Sequence, residues 1–112
     1  MASNVFKNAV SSSIGVSDTT IYTTPATKKS LIIQFDVINT TTAPINVDAY
    51  IYNAASSTKI YLRKGVPVAP GYPMEIVLNG KKIITAAGDI IGVTSSAAAS
   101  ANAYVSILED VN

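Results

Sequence analysis

The run Leu31-Ile32-Ile33-Gln34-Phe35-Asp36-Val37-Ile38-Asn39 decides the class of fold. Leu31, Ile33, Phe35 and Val37 recur at every second position, with Gln34 and Asp36 between them. Successive side chains of a strand point to opposite faces, so this alternation predicts a strand with one buried face. The next run repeats it: Ile45, Val47, Ala49 and Ile51 point one way, and Asn46, Asp48, Tyr50 and Tyr52 the other. Between the two, the polar stretch 39–44 ends in Pro44, which has no N–H to give a ladder, and it reads as a hairpin loop.

Working outward, Asp18 to Thr24 reads as a strand stopped by Pro25, and residues 1–13 as an N-terminal arm or an extra edge strand ahead of a single domain over 14–112. Thr58 to Arg63 is a further alternating segment. Gly65 to Pro73 holds three prolines and two glycines, so it reads as a loop, with Pro70-Gly71 at the centre of a type II turn. Met74 to Leu78 and Lys81 to Thr85 flank Asn79-Gly80, a strong hairpin signal. Gly88 turns the chain into a strand over Asp89 to Thr94. In the last segment, Ala101 to Asp110, the residues Ala97, Ala101, Tyr104, Val105 and Leu108 also fit a helical stripe. Alternation of Ala103, Val105 and Ile107 without a helix start signal favours a strand. The expectation is an all-β antiparallel sandwich of about eight strands, jelly-roll or Ig-like, because strands without intervening helices cannot make parallel crossovers.

The 112 residues suit one domain. Only 13% are charged, roughly half the usual share. Two readings follow: a partner covers part of the surface, or Ser, Thr and Asn supply its polarity. The net charge is +1, and the basic residues fall in pairs, Lys28-Lys29, Arg63-Lys64 and Lys81-Lys82. No basic stripe suited to phosphate can be read, so no nucleic acid is expected as partner, and the pairs read as solvated strand ends that protect edges. Met1-Ala2-Ser3-Asn4 lacks the pattern of a secretory signal. No apolar run is long enough to span a bilayer, because Gly88 and Asp89 interrupt the most apolar stretch, 83–107. Synthesis in the cytosol and no membrane contact are expected.

Cysteine and histidine are both absent. The chain therefore lacks a disulfide, a thiolate, the usual general base near neutral pH and the commonest zinc ligands. The acids Asp18, Asp36, Asp48, Glu75, Asp89, Glu109 and Asp110 are scattered and read as solvated groups. No acidic loop suits calcium and no glycine run suits phosphate, so no metal, no cofactor and no catalytic residue are expected. Asn39-Thr40-Thr41 matches a glycosylation acceptor, but such triplets arise often by chance. Tyr50 and Tyr52 should stand together on an outward face with Tyr61 close by. Tyrosine brings large contact area at low entropic cost, so these three are candidate interface residues. Tyr72, in the 65–73 loop, and Phe6, in the arm, complete the candidate set.

Taken as a whole, residues 18–109 resemble small virion proteins of tailed bacteriophages. The resemblance is carried by Thr20-Ile21-Tyr22-Thr23-Thr24-Pro25, Val37-Ile38-Asn39-Thr40-Thr41 and Tyr61-Leu62-Arg63-Lys64-Gly65-Val66-Pro67-Val68. It continues through Leu78-Asn79-Gly80-Lys81-Lys82-Ile83, Ala87-Gly88-Asp89 and Val105-Ser106-Ile107-Leu108-Glu109. It implies a β-sandwich in the virion: a capsid cement or decoration protein on the major capsid protein, or a neck, tail or fibre-associated component. A homotrimer over junctions between capsid subunits is the arrangement it implies for the cement type. A carbohydrate-binding module of the virion, using the tyrosine face or the 65–73 loop, is the other class of function to weigh.

Overall fold

The computed structural model describes residues 5–76 and 83–109. Nine strands occur among them, with no helix: β1 (Val5–Ile14), β2 (Thr19–Thr23), β3 (Lys29–Asn39), β4 (Ile45–Asn53), β5 (Thr58–Val68), β6 (Pro73–Glu75), β7 (Ile83–Ala86), β8 (Ile90–Ser95) and β9 (Ala101–Glu109). Every pairing is antiparallel. Sheet A runs β1-β9-β3-β6, with β7 also on β3, and sheet B runs β2-β8-β4-β5.

The order follows a simple winding rule. The first strand pairs with the last, the second with the next to last, the third with the β6 and β7 pieces, and the fourth with the fifth. That is a jelly roll, in which the chain crosses from one sheet to the other at almost every connection. The inward faces meet in one core, with Ile32, Phe35, Val37, Val105 and Ile107 of sheet A against Val47, Ala49, Ile91 and Val93 of sheet B.

Most of the described strands form where the alternation places them, but several connections differ from the expectation. The stretch 39–44 is not a hairpin: β3 and β4 lie in different sheets, and the loop carries the chain across the sandwich. Asn39 fixes that crossing. It is fully buried; its side-chain amide donates to the carbonyls of Ala43 (2.8 Å) and Val68 (2.9 Å), and its Oδ1 accepts from the Thr41 N–H (2.8 Å) and hydroxyl (2.7 Å). The acceptor motif at Asn39 is therefore an internal brace rather than a surface amide.

Strand β5 continues through Gly65 and Pro67 to Val68, so the expected loop shrinks to the turn at Pro70-Gly71. There the Tyr72 N–H donates to the Ala69 carbonyl (3.1 Å), and Gly71 supplies the positive φ of 74° that a type II turn needs. The Asn79-Gly80 turn lies outside the described residues. Of the strands on either side of it, β6 runs along Asp36–Ile38 and β7 along Lys29–Ile32, so both travel in the same direction beside β3.

Strand β3 also breaks its own alternation. Its register on β9 slips between Ile32 and Gln34, where Ile33 is the extra residue of a bulge. Phe35 and Val37 face the core after the bulge, as expected, but Ser30 and Ile32 face it before. Leu31 is thereby turned outward.

Candidate functional site

The candidate interface residues do not form one surface. Tyr50, Tyr52 and Tyr61 gather on the outer face of sheet B, Phe6 stands on the outer face of sheet A, and Tyr72, 66% exposed, sits at the turn before β6.

On sheet B, Tyr50 is on the expected face but is only 4% exposed, because its own neighbours cover it. Its cross-strand partner on β8 is Gly92, and the phenol ring lies over that bare backbone. Tyr61 meets the ring edge-on, with centroids 6.2 Å apart at 71°. The Lys59 ammonium sits 4.4 Å from the Tyr50 centroid, and Lys64 sits 4.3 Å from that of Tyr61. Lys59 is held in place by Asp18 (2.7 Å), whose other carboxylate oxygen accepts from the Thr94 hydroxyl (2.6 Å). The Lys59 and Thr94 bonds hold the Asp18 carboxyl below its usual range, and Asp18 in turn raises Lys59. Burial, with the nearby Asp18 charge, pushes the Tyr50 phenol up. What remains open is a shallow depression of about 220 Å³, lined by Asp18, Thr20, Tyr52, Lys59 and Ile90 beside the Tyr50 ring.

Sheet A carries a different surface. Register makes Phe6 the partner of Leu108, Leu108 the partner of Leu31, and Leu31 the partner of Ile84. Directly paired residues share a face, so these four side chains form an apolar row across β1, β9, β3 and β7, about 14 Å long at the usual strand spacing. Its two ends are the most exposed, Phe6 at 77% and Ile84 at 75%. A polar line, Asn8, Ser106 and Gln34, runs beside it, followed by Val10 and Tyr104, both exposed. Tyr104 stands between two shallow depressions of about 380 and 290 Å³. No protein-family model matches the chain, and neither does any curated protein or solved structure.

Sequence periodicity missed most of this row. It assigned Leu31 to the core, since a bulge is invisible in alternation, and it could not place Leu108 beside Phe6, since register between distant strands is set by the whole winding. The free alternation of Tyr104 and Leu108 against the buried Ala103, Val105 and Ile107 was the available signal.

Two acids expected to be solvated are buried. Asp89, behind the Gly88 turn, accepts from the Ala54 and Ala86 N–H groups (both 2.9 Å) and ties two connections together. Glu109, 4% exposed, accepts from the Tyr22 hydroxyl (2.8 Å) and pairs with Lys7 of β1 (2.9 Å). Burial pushes the Glu109 carboxyl up, but the Lys7 and Tyr22 bonds and the Lys7 and Lys28 charges outweigh it and hold it below its usual range. Burial, the carboxylate among its other neighbours, pushes the Tyr22 phenol up to about 12. Sequence could not find these acids, because both sit at strand ends where exposure is the ordinary outcome.

Among the described residues no group of three or more His, Cys, Asp or Glu gathers to hold a metal, and no helix is long and apolar enough to cross a membrane. Asp18 lines a depression, but its oxygens are already engaged by Lys59 and Thr94. The arrangement offers surfaces for adhesion: an uncharged apolar row on one sheet and a cation-capped tyrosine cluster on the other.

Proposed function

We propose that the chain is a non-enzymatic structural protein of a tailed-phage particle, a cement that binds the major capsid protein and stabilises the shell. The observation that carries this reading is the apolar row Phe6, Leu108, Leu31 and Ile84, laid across four strands with its ends in solvent. Apolar side chains aligned on a rigid sheet suit adhesion to another protein surface. Burying the two exposed ends, Phe6 and Ile84, would contribute up to about 1.5–3 kcal/mol each, roughly tenfold or more in affinity. The jelly roll adds a fold-level analogy, since viral capsid domains use it, although fold alone does not fix function. The motifs behind the phage resemblance fall on scaffold features such as Asn39 and Asp89, so they speak for kinship of framework and leave the outer face to speak for the task.

The test mixes purified protein with expanded empty heads of a tailed phage. Saturable binding at a stoichiometry set by the shell's symmetry, with a higher disruption temperature, is expected. Phe6→Asp combined with Ile84→Asp should abolish both effects without loss of fold. Binding to neck or tail complexes alone would remove the cement assignment and leave a component of that part of the particle.

The depression beside Tyr50 favours a second reading, a carbohydrate-binding module of the virion. There Tyr52 offers an aromatic face, with Asp18, Thr20 and Lys59 as polar groups around it. A glycan array on which wild type and Tyr52→Ala are equally blank would dismiss it.

A further inference from the structure

Three of the sandwich's four sheet edges carry the devices that stop strands from joining other strands. Along β5 lie Lys59, Arg63 and Lys64, the positive-φ Gly65 and then Pro67. The β6 and β7 edge is split into three- and four-residue pieces, with Pro73 in the first. Strand β2 has five residues. Short strands, lysines, prolines and bulges are the usual protections of an edge.

The fourth edge, β1, lacks almost all of them. It is ten residues long, has neither Gly nor Pro, and exposes Val5, Phe6 and Val10. Its one charge, Lys7, is neutralised by Glu109. Its ladder with β9 is regular from Val5 to Ser11 and slips only beyond that point.

We propose that a second copy of this chain covers the edge, β1 pairing antiparallel with its twin across a twofold axis at Asn8. Asn8 is the midpoint of the regular stretch Val5–Ser11, so this register gives the longest unbroken overlap. It sets Asn8 against its own counterpart and Phe6 against Val10 of the second copy, and it places Lys7 opposite Ala9. Side chains on one face then match like with like: apolar against apolar at both ends, amide against amide at the centre. The apolar row of one copy continues through Phe6 into the Val10 and Tyr104 line of the other. With one unprotected edge among the described strands, strand pairing closes as a twofold dimer, because a threefold ring would need a second unprotected edge to receive β1. The dimer takes the place of the trimer that the phage resemblance implies, and it does not rest on what the outer face adheres to.

The test uses the full chain alone, in native mass spectrometry and sedimentation. Wild type is expected at twice the 11.7 kDa chain mass. Asn8→Lys and Asn8→Asp each place like charges face to face on the axis, and both variants should run as monomers with wild-type circular dichroism. An equimolar mixture of the two should restore the dimer as a one-to-one heterodimer. A monomeric or trimeric wild type overturns the proposal. So does an Asn8→Lys protein that stays dimeric, or a mixture that fails to recombine.

Discussion

At Gly92 the place of a side chain is taken by a neighbour's ring: a Cβ there would lie 2.3 Å from Cζ, 2.4 Å from the hydroxyl oxygen and 2.6 Å from Cε1 of Tyr50. Those atoms are the far end of a side chain that can swing outward, so Gly92→Ala should keep the fold and expel the ring. The expected cost is about 1–3 kcal/mol, the ordinary scale of overpacking. It reads as a lower denaturant midpoint, and an alkaline absorbance titration should show the raised Tyr50 phenol returning toward 10. Glu109 supplies a second residue-level effect. Its carboxyl is depressed in the folded chain, so the unfolded chain binds the extra proton as pH falls, and stability present above the ordinary value of 4.5 is lost below it. Tyr22 acts at the other end, because its folded value near 12 exceeds the ordinary 10 and stability falls as pH rises between them. Glu109→Gln should flatten the acid limb of a stability-against-pH curve and, at pH 7, cost about 1–3 kcal/mol from the weakened buried bonds. An unchanged acid limb would place the acid sensitivity elsewhere, on Asp18 first, whose depressed carboxyl has the same sign but is largely solvated.

Strand β3 holds the middle of sheet A, and its end is secured by Asn39. Asn39→Ala would take the side-chain partner from the buried Val68 carbonyl and from the Thr41 N–H, while the Ala43 carbonyl keeps the Thr41 hydroxyl (2.9 Å). Loss of about 2–4 kcal/mol is expected from the buried groups left unpaired and the small void, measured as a drop in thermal midpoint with the crossing loop most exposed to hydrogen exchange. At this scale the sequence was legible wherever one strand's alternation sufficed. Val47, Ala49, Val105 and Ile107 point inward as their spacing predicts, and the segment starting at Ala101 is a strand, as its alternation predicts over the helical stripe. It was not legible wherever pairing depended on other strands. A proline-closed polar loop serves a hairpin or a sheet crossing equally well, so stretch 39–44 was misplaced. Strands β6 and β7 both pair with β3, a partner that neither segment's own alternation identifies. The bulge at Ile33 alters the face of Leu31 without altering its spacing, and the apolar row was lost with it.

Seen across the whole molecule, charge is scarce and balanced, at 13% of residues and a net +1. The Lys59 and Lys64 ammonium groups of sheet B are committed to Asp18, Asp48 and the tyrosine rings. Long-range steering therefore has little to act through, and association by the sheet A row should proceed at the unsteered rate of about 10⁵–10⁷ M⁻¹s⁻¹. Salt then separates this mode of binding from its rivals. A phosphate-bound complex loses affinity steeply with each released counterion, whereas burial of Phe6, Leu31, Leu108 and Ile84 is insensitive to screening. Raising sodium chloride from about 0.05 to 0.5 M, across the range in which surface charges become screened, should change the affinity for empty heads by less than threefold. Phe6→Asp with Ile84→Asp should lower it by a hundredfold or more at both salt concentrations, since two large apolar groups are replaced by charges that the partner must desolvate. Surface plasmon resonance on immobilised heads reads both numbers. A steep salt slope with a small effect of the double variant would move the contact to the lysine-capped tyrosine face of sheet B.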